Sequence, residues 1–266
     1  MFNKVARVLT NPQQYFPVAI KMTQQPLCYL FHRASFFLQA QMDISRKSRW
    51  HNPSFVDLTG GFFLKNDDVQ RHICDLDPWD VTRRDMLILL LRTVIDRKVV
   101  GDLAELGVYK GLTAKLIHHY APERKLHLFD TFEGFTQRSV QSEHEWTGLA
   151  IQDSLFADTT LATVRKFLAS KNDNVSFYKG YFPETIPAGF GDLRFAFVHL
   201  DADLYEPTFR GLEFFFPRLS AGGMLVVHDY NAWPGARKSV DDFFVDKKEL
   251  PIPLPDKSGS VLVVKQ

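Results

Sequence analysis

The sequence predicts an α/β fold, in which helices cover both faces of a doubly wound, mostly parallel sheet. From about residue 80 onward, short apolar strand-like segments alternate with longer helix-like segments, as βαβ units do. Three of the strand-like segments end in an acidic residue, at Asp130, Asp201 and Asp229. Because ligands of open parallel sheets bind beyond the carboxyl ends of the strands, the same pattern predicts where the functional site lies.

The composition is that of an ordinary globular chain. Of its 266 residues, 45% are hydrophobic and 24% are charged, which fits one large domain with an extension. The net charge of +1 argues against a nucleic-acid partner. Two cysteines, Cys28 and Cys74, are too few for a disulfide framework or a cysteine-rich zinc site. The 24 Phe residues have no polar group and are expected mostly in the core.

The first 79 residues differ from the rest of the chain. Five prolines interrupt short helical stretches there, so residues 1–79 are predicted to be a mainly helical or irregular extension. It is expected to form a substrate wall or an oligomer contact. Residues 26–42 are interpreted as a helix on the main domain or a partner subunit, with a membrane surface as the alternative. Since no stretch of ~20 apolar residues and no signal-peptide core is present, a cytoplasmic location without a transmembrane helix is expected.

The remaining segment, residues 80–266, is predicted to be one domain. Strands are predicted at residues 102–108, 125–130, 175–178, 195–201, 224–228 and 260–265. Helices are predicted at residues 81–98, 111–120, 158–169, 207–219 and 236–244, the first capped by Asp80 or Thr82. Residues 135–156 are polar and mixed, and they are predicted to form a loop or a lid over the substrate.

The segment ELGVYKG, residues 105–111, resembles a nucleotide-binding turn. Gly107 permits close backbone approach, and Gly111 can open a helix. Asp130 follows roughly 20 residues later, where an acid binds a ribose hydroxyl in dinucleotide folds. The G-x-G-x-x-G pattern is incomplete, which disfavours a pyrophosphate. A ligand with a ribose but no phosphate, such as S-adenosylmethionine, fits better.

A second group of polar residues lies at the later strand ends. His199, Asp201 and Asp203 end one strand, and His228 with Asp229 ends the next. Oxygen-rich ligand sets suit Mg²⁺, Ca²⁺ or Mn²⁺, whereas mixed Asp and His sets suit Mn²⁺, Fe or Zn²⁺. The structural alternatives are that Asp203 caps the following helix and that His199 is a hydrogen-bonded core histidine.

Five motifs taken together carry a family resemblance. They are ELGVYKG (105–111), LFDTFEGF (128–135), YKGYFPETIP (178–187), LDADLYEPTFRGLEFFFPRLSAGG (200–223) and HDYNAWPGARKSVDDFF (228–244). In this order, over residues 102–244, they resemble the TylF/MycF macrocin O-methyltransferase family. The resemblance implies a Rossmann-like class I methyltransferase fold, S-adenosylmethionine as cofactor, and a divalent cation, Mg²⁺ or Mn²⁺, at the acceptor site. The implied acceptor is a hydroxyl of a sugar or a natural product.

The resemblance also implies roles for particular residues. Glu105 and Gly107 match the first cofactor motif, Asp130 the ribose-binding acid, and residues 180–182 the loop near the adenine. The candidate cofactor-binding residues are Glu105, Gly107, Tyr109, Gly111, Asp130, Thr131, Gly180, Tyr181, Phe182 and Asp201.

The implied metal ligands are Asp201, His228 and Asp229. Here the sequence departs from the family, because the antibiotic-sugar enzymes have paired acids where this chain has His228 and Asp229. We hypothesise that His228 replaces a carboxylate either as a nitrogen ligand or as the base that accepts the acceptor's proton. The candidates for that base, and so the catalytic candidates, are Asp201, His228 and His199.

Other functions remain open at this level. A nicotinamide-dependent oxidoreductase on a similar sheet is one alternative, and an inactive S-adenosylmethionine-binding partner subunit is another. A catechol-type phenol is an alternative acceptor to a sugar or glycan. Trp233 is expected to border the acceptor pocket, and a homo-oligomer is plausible from the resemblance.

Overall fold

The computed structural model describes residues 80–152, 154–168 and 174–266, together with the single residue Ala34. The predicted extension at residues 1–79, including the helix predicted at residues 26–42, lies outside the described residues apart from Ala34. Among the helices of the described part of the chain, none combines the length and the hydropathy that a membrane crossing requires.

Within the described residues, seven strands form one sheet. They are β1 (Asp102–Leu106), β2 (Leu126–Asp130), β3 (Val175–Lys179), β4 (Phe195–Leu200), β5 (Leu219–Val227), β6 (Ile252–Pro253) and β7 (Val261–Val264). Their order is β3-β2-β1-β4-β5-β7-β6. Strands β1 to β5 pair in parallel, and β7 pairs antiparallel with β5 and β6. The predicted α/β fold with a mostly parallel sheet is confirmed.

Six α-helices accompany the sheet in the described residues. They are α1 (Val81–Asp96), α2 (Leu112–Tyr120), α3 (Gln137–Thr147), α4 (Leu161–Leu168), α5 (Tyr205–Phe215) and α6 (Pro234–Phe244). Asp80 caps α1, as one of the two predicted caps, and its side chain accepts a hydrogen bond from the Arg83 amide at 2.9 Å. Helix α2 begins directly after Gly111, as predicted.

The centre of the sheet positions the site. All six residues of β4 are buried, and so are four of the five residues of β1, which explains why both strands read as apolar runs. The chain runs outward from β1 through β2 to β3 and then returns to place β4 on the other side of β1. The order of the strands therefore reverses between β1 and β4, where a crevice for ligands forms at the carboxyl ends.

Phenylalanine side chains dominate the core beside β4, as the composition predicts. Phe215 stacks on Phe182 with ring centroids 5.7 Å apart, and it meets Phe129 and Phe195 edge-on at 5.8 and 5.1 Å. Edge-to-face pairs of this kind stabilise a core beyond the burial of their area. The cluster anchors α5 to the sheet.

The prediction of a loop or lid at residues 135–156 is partly wrong, because this segment contains helix α3. The helix buries only Ser139 and Glu143, so its sequence lacks the apolar periodicity that predicts a helix. The capping residues at the two ends of the helix are the features that could have predicted it. Thr136 accepts a hydrogen bond from the Ser139 amide, and Gly148 ends the helix in the left-handed conformation.

The end of one helix, the start of β5 and the presence of β6 also differ from the prediction. The helix predicted at residues 207–219 ends at Phe215, and a 3₁₀ turn containing Pro217 leads directly into β5 at Leu219. Proline has no amide hydrogen for a continued helix, so the chain turns there. Strand β6 was not predicted, because it is only two residues long.

The buried side chain of Glu143 joins α3 to two other helices. One carboxylate oxygen accepts a hydrogen bond from the Tyr205 amide at 2.8 Å, at the start of α5. The carboxylate also lies against the backbone of Gly235 at the start of α6, where a Cβ atom would overlap both oxygens. A negative charge at two helix N-termini satisfies amides that have no partner within the helix.

Replacing Glu143 by alanine is expected to lower the free energy of unfolding by about 1–3 kcal/mol, since Ncap losses cost ~1 kcal/mol each. The melting temperature is then expected to fall by roughly 2–10 °C. Glu145→Ala is the matched control, because Glu145 lies on the same helix with an exposed side chain that contacts Gln141. Equal melting temperatures for the two variants would contradict this role of Glu143.

Candidate functional site

The predicted acids lie at the carboxyl ends of the strands, as expected. Asp130 ends β2, Asp201 follows β4, and His228 and Asp229 follow β5. Asp201, His228 and Asp229 come together, with one potential ligand atom from each lying within 4.8 Å of the others. Asp130 lies instead beside the turn after β1. The acids therefore form two neighbouring parts of one crevice.

The carboxylate of Asp130 holds the turn that follows β1. One oxygen accepts hydrogen bonds from the amides of Val108 and Tyr109 at 2.6 and 2.9 Å. The other accepts from the Phe132 amide at 2.5 Å, and the Thr131 hydroxyl oxygen lies 3.4 Å from it while donating its one hydrogen to the Gly134 carbonyl. A carboxylate offers about four acceptor positions, so the 3.4 Å contact with Thr131 is the one that a ribose hydroxyl can most readily replace.

Gly107 brings this turn against the end of β4. Its φ angle is 87°, and a Cβ atom there would overlap the backbone carbonyl of Asp201. Gly111, with a φ angle of 82°, opens α2. The close approach predicted for Gly107 is thus an approach to the chain's own backbone, and it joins the two parts of the crevice.

Tyr109 and Thr131 have specific partners on either side of the turn. The Tyr109 hydroxyl donates to Asp158 at 2.6 Å, and the Thr159 hydroxyl donates back to the Tyr109 carbonyl at 3.0 Å. The Thr131 hydroxyl donates to the Gly134 carbonyl at 2.6 Å. These bonds order the turns after β1 and β2, which border the crevice.

The loop after β3 is anchored to the same region. The Gly180 amide donates to the Asp130 carbonyl at 3.0 Å. Tyr181 is half-buried and lies under the guanidinium of Arg138, 4.9 Å from its ring centroid. The side chain of Phe182 is buried in the phenylalanine core, and its place near the cofactor stays a prediction.

Glu105 and His199 form a buried pair beneath the crevice. They are opposite each other on β1 and β4, with His199 Nδ1 3.0 Å from the Glu105 carboxyl group. The Arg83 guanidinium lies 3.4 Å from His199 Nε2. Because arginine only donates, we assign His199 the neutral form with its proton on Nδ1. Burial and the charge of Arg83 lower the pKa of His199 to about 3, consistent with this form.

His199 is therefore a core histidine, the structural alternative considered above. Its side chain is 0% exposed, so an acceptor molecule cannot touch it. Burial and the nearby Asp201 charge raise the pKa of Glu105 well above its usual value.

His228 lies between acids on both sides of its ring. Nδ1 is 2.9 Å from Oδ1 of Asp201 and 2.9 Å from Oδ2 of Asp229. Nε2 is 3.7 Å from Oδ2 of Asp256, whose side chain is fully buried. On the far side of Asp201, Oδ2 accepts a hydrogen bond from Arg83 at 2.5 Å. The group is a compact alternation of cationic and anionic side chains.

These contacts determine the charges in the site. Burial and the charge of Arg83 lower the pKa of His228, but Asp201 and Asp229 outweigh them and raise it to about 9. Burial raises the pKa of Asp201, yet His228 and Arg83 hold it well below its usual value. Burial likewise raises the pKa of Asp229, and His228 reverses the effect. At neutral pH the two carboxylates are ionised and share the imidazolium proton.

Asp203 does not cap the following helix. Helix α5 begins after Leu204 without a side-chain cap, and Asp203 forms its hydrogen bond with Asp229 instead. Burial and the charges of Asp229 and Asp201 raise the pKa of Asp203 well above its usual value. The raised pKa of Asp203 and the lowered pKa of Asp229 make Asp203 the donor in the hydrogen bond between the two carboxyl groups.

The sequence interpretation missed the roles of Arg83, Asp203 and Asp256. The sequence could have indicated a role for Arg83, because this residue lies four residues before Leu87. It is therefore on the same helical face as the apolar residues Leu91 and Val94. A charged residue on a buried helical face needs a partner, which here is Asp201. Asp256 lies in a loop without a motif, so only its position in the fold reveals the contact with His228.

A row of four aromatic side chains connects the turn after β1 with the turn after β5. Tyr109 meets Phe156 at 5.0 Å, Phe156 meets Phe135 at 5.3 Å, and Phe135 meets Trp233 at 6.0 Å between ring centroids. The row includes the buried Trp233, predicted to border the acceptor pocket, and provides apolar surface beside the acids.

The donor set fits a divalent cation. Two ionised carboxylates and one imidazole nitrogen face a common point, and carboxylate oxygens with imidazole are ligands for Mn²⁺, Fe, Co²⁺ or Zn²⁺. Binding requires the imidazolium to lose its proton, since only neutral imidazole coordinates a metal. Arg83 occupies the Asp201 oxygen that faces away from His228, so it leaves the inward oxygen available.

The strand order and the turn after β1 define a class I methyltransferase fold, and solved structures agree. The O-methyltransferase NovP superposes with a TM-score of 0.62 at 25% identity, over 70% of this chain and 80% of that chain. A calicheamicin methyltransferase superposes with a TM-score of 0.58 at 22% identity, over 85% of this chain and 91% of that chain. Members of this fold class use S-adenosylmethionine as their methyl donor.

The family follows from the sequence match. The model of the TylF macrocin-O-methyltransferase family matches residues 81–259, which is more than half of the chain. The chain therefore belongs to the TylF macrocin O-methyltransferase family, as the resemblance of its motifs predicted.

Two curated relatives illustrate the family. An 8-demethyl-8-(2,3-dimethoxy-alpha-L-rhamnosyl)-tetracenomycin-C 4'-O-methyltransferase of Streptomyces olivaceus is 33% identical over 60% of this chain and 64% of its own. A mycinamicin III 3''-O-methyltransferase of Micromonospora griseorubida is 29% identical over 54% of this chain and 61% of its own. The matched regions thus span less than two thirds of either relative.

Proposed function

We propose that this protein transfers a methyl group from S-adenosylmethionine to a hydroxyl group of a sugar or natural-product acceptor, assisted by a divalent cation. The observation that carries the proposal is the convergence of Asp201, His228 and Asp229 beside the turn at residues 105–111. A cofactor turn next to a cation site suits this reaction, because the methyl donor must meet the acceptor oxygen and a cation can stabilise negative charge on that oxygen.

The cofactor is assigned to the turn after β1. The sulfonium group of S-adenosylmethionine supplies an already activated methyl group when it is bound. Gly107 keeps the turn close to Asp201, and Asp130 holds the turn's amides in place. Holding reacting atoms in a near-attack geometry is worth about 7–11 kcal/mol, so this positioning is the main task of the chain.

Asp201 is assigned as the proton acceptor through its inward oxygen Oδ1, because one carboxylate oxygen has two acceptor positions and can contact both a cation and the hydroxyl proton. Among the three candidates it has the most accessible side chain, at 20% exposed, against 8% for His228 and 0% for His199. A base has to come within hydrogen-bond reach of the hydroxyl proton, which excludes His199. His228 and Asp229 are assigned with Asp201 to the cation, which when bound stabilises negative charge on the acceptor oxygen.

The acceptor class is inferred from the relatives. Both relatives are named for O-methylation, one at a rhamnosyl group of tetracenomycin and one of a mycinamicin. The aromatic row offers apolar surface next to the polar site, which suits a sugar attached to an apolar product. A third relative, a demethyldecarbamoylnovobiocin O-methyltransferase of Streptomyces niveus at 27% identity, is also named for O-methylation.

The proposal is tested by calorimetric titration of chelator-treated, full-length protein with S-adenosylhomocysteine, repeated with Mg²⁺ and with Mn²⁺. We expect binding in the micromolar range, followed by methyl transfer to glycosylated acceptors in the presence of a cation. A titration with NAD⁺ is the control and is expected to show no binding. Binding of NAD⁺ alone would support the oxidoreductase alternative, and binding without transfer to any acceptor would support the inactive partner subunit.

A further inference from the structure

We propose that Asp256 is a positioning residue that holds His228 as a nitrogen ligand, so that the cation site prefers a first-row transition-metal ion to Mg²⁺. This inference rests on the proposed function and deepens it by naming the metal class. It starts from the position of the His228 imidazole between the carboxylates of Asp201 and Asp229.

The orientation of the imidazole is the first observation. Nδ1 of His228 points between the two carboxylates, 2.9 Å from each. Nδ1 is therefore the atom that faces the common point of the three ligands, and Nε2 faces the opposite way. An imidazole that binds a metal through Nδ1 carries its proton on Nε2.

The buried carboxylate of Asp256 is the second observation. It lies 3.7 Å from Nε2 of His228, within ion-pair distance. Its position is independent of His228, because the Ser260 amide and hydroxyl donate to its two oxygens at 2.6 and 2.8 Å. A carboxylate behind a histidine ligand fixes the ring and its proton, as in carboxylate–histidine–zinc sites.

Each of the three ligands has an outer partner of this kind. Asp201 has Arg83 on its outward oxygen, Asp229 has Asp203, and His228 has Asp256. Each of these partners contacts its ligand on the side away from the cation site. One atom of each ligand remains available to the cation. Mg²⁺ favours oxygen ligands and octahedral geometry, whereas imidazole suits later first-row ions. A site built around one imidazole nitrogen therefore favours Mn²⁺, Co²⁺ or Zn²⁺ over Mg²⁺.

The test measures metal affinity directly, with no dependence on turnover. Chelator-treated full-length protein is titrated calorimetrically with CoCl₂, MnCl₂ and MgCl₂, and the Co²⁺ complex is followed by its visible absorption. We expect wild type to bind Co²⁺ at least about 10-fold more tightly than Mg²⁺. Asp256→Asn is expected to weaken Co²⁺ binding about 10–100-fold, the usual cost of losing such an outer partner.

Two controls separate positioning from other effects. Asp192→Asn makes the same change at an exposed aspartate before β4, and is expected to leave Co²⁺ affinity unchanged. His228→Asp is expected to remove the preference for Co²⁺ over Mg²⁺. In that background, Asp256→Asn is expected to have little further effect, whereas a purely electrostatic role would weaken metal binding equally in both backgrounds.

Equal affinities of wild type for Co²⁺ and Mg²⁺ would overturn the inference, and so would an unchanged preference in His228→Asp. This second comparison keeps the test decisive even if Asp256→Asn does not fold. Failure of the proposed function is distinguishable, because it shows as absent S-adenosylhomocysteine binding or absent methyl transfer in the same samples.

Discussion

Replacing Asp201 by asparagine is expected to lower the turnover number about 10³-fold, the middle of the range for loss of a general base. Asparagine has nearly the same shape but accepts no proton at neutral pH, and it is a weaker ligand for a cation. Affinity for S-adenosylhomocysteine is expected to stay within about threefold of wild type, because the Asp201 backbone carbonyl, and not its side chain, meets Gly107. The measurements are steady-state kinetics and calorimetry.

Asp192→Asn is the matched control for this variant. Asp192 is an exposed aspartate in a short 3₁₀ turn before β4, away from the crevice. Its replacement is expected to change neither turnover nor affinity. Full turnover in Asp201→Asn would remove Asp201 from the mechanism. A loss of S-adenosylhomocysteine affinity above 10-fold would place the Asp201 side chain in the cofactor site, a role that the sequence also suggested.

Gly107→Ala is expected to destabilise the protein by about 2–5 kcal/mol, from ~1–2 kcal/mol of left-handed backbone strain plus overlap with the Asp201 backbone. The melting temperature is expected to fall by roughly 5–15 °C. Affinity for S-adenosylhomocysteine is expected to fall more than 10-fold, because a turn displaced by about 1 Å no longer positions its ligand. Thermal melting and calorimetry measure the two effects.

Gly148→Ala is the control that distinguishes backbone strain at a positive φ angle from steric overlap of the added Cβ atom. Gly148 also has a positive φ angle, 71°, but a Cβ atom there meets nothing within 4 Å. This variant is therefore expected to show only the strain, about 1–2 kcal/mol, with unchanged cofactor affinity. If both variants lose the same stability and neither loses affinity, the close approach of Gly107 to Asp201 is not what shapes the cofactor turn.

Local patterns in the sequence were enough to predict the sheet and the two parts of the crevice. Apolar runs ending in Asp130, Asp201 and Asp229 predict parallel strands and the edge where their acids lie. The turn at residues 105–111 follows from its glycines, because backbone geometry at such positions depends on the residue itself. These features are encoded within a few residues of the chain, so a single sequence carries them.

Contacts between residues far apart in the sequence were not predicted. These contacts determine which charged groups face each other in the site. Arg83 reaches Asp201 across 118 residues, and Glu143 reaches the Tyr205 amide across 62. Helix α3 is stabilised by its caps and by Glu143, with no apolar stripe to reveal it. The pairing of His228 with Asp256 likewise depends on two loops meeting. A charged side chain acts on whichever group folding places within a few ångströms, and its sequence neighbours do not specify that group.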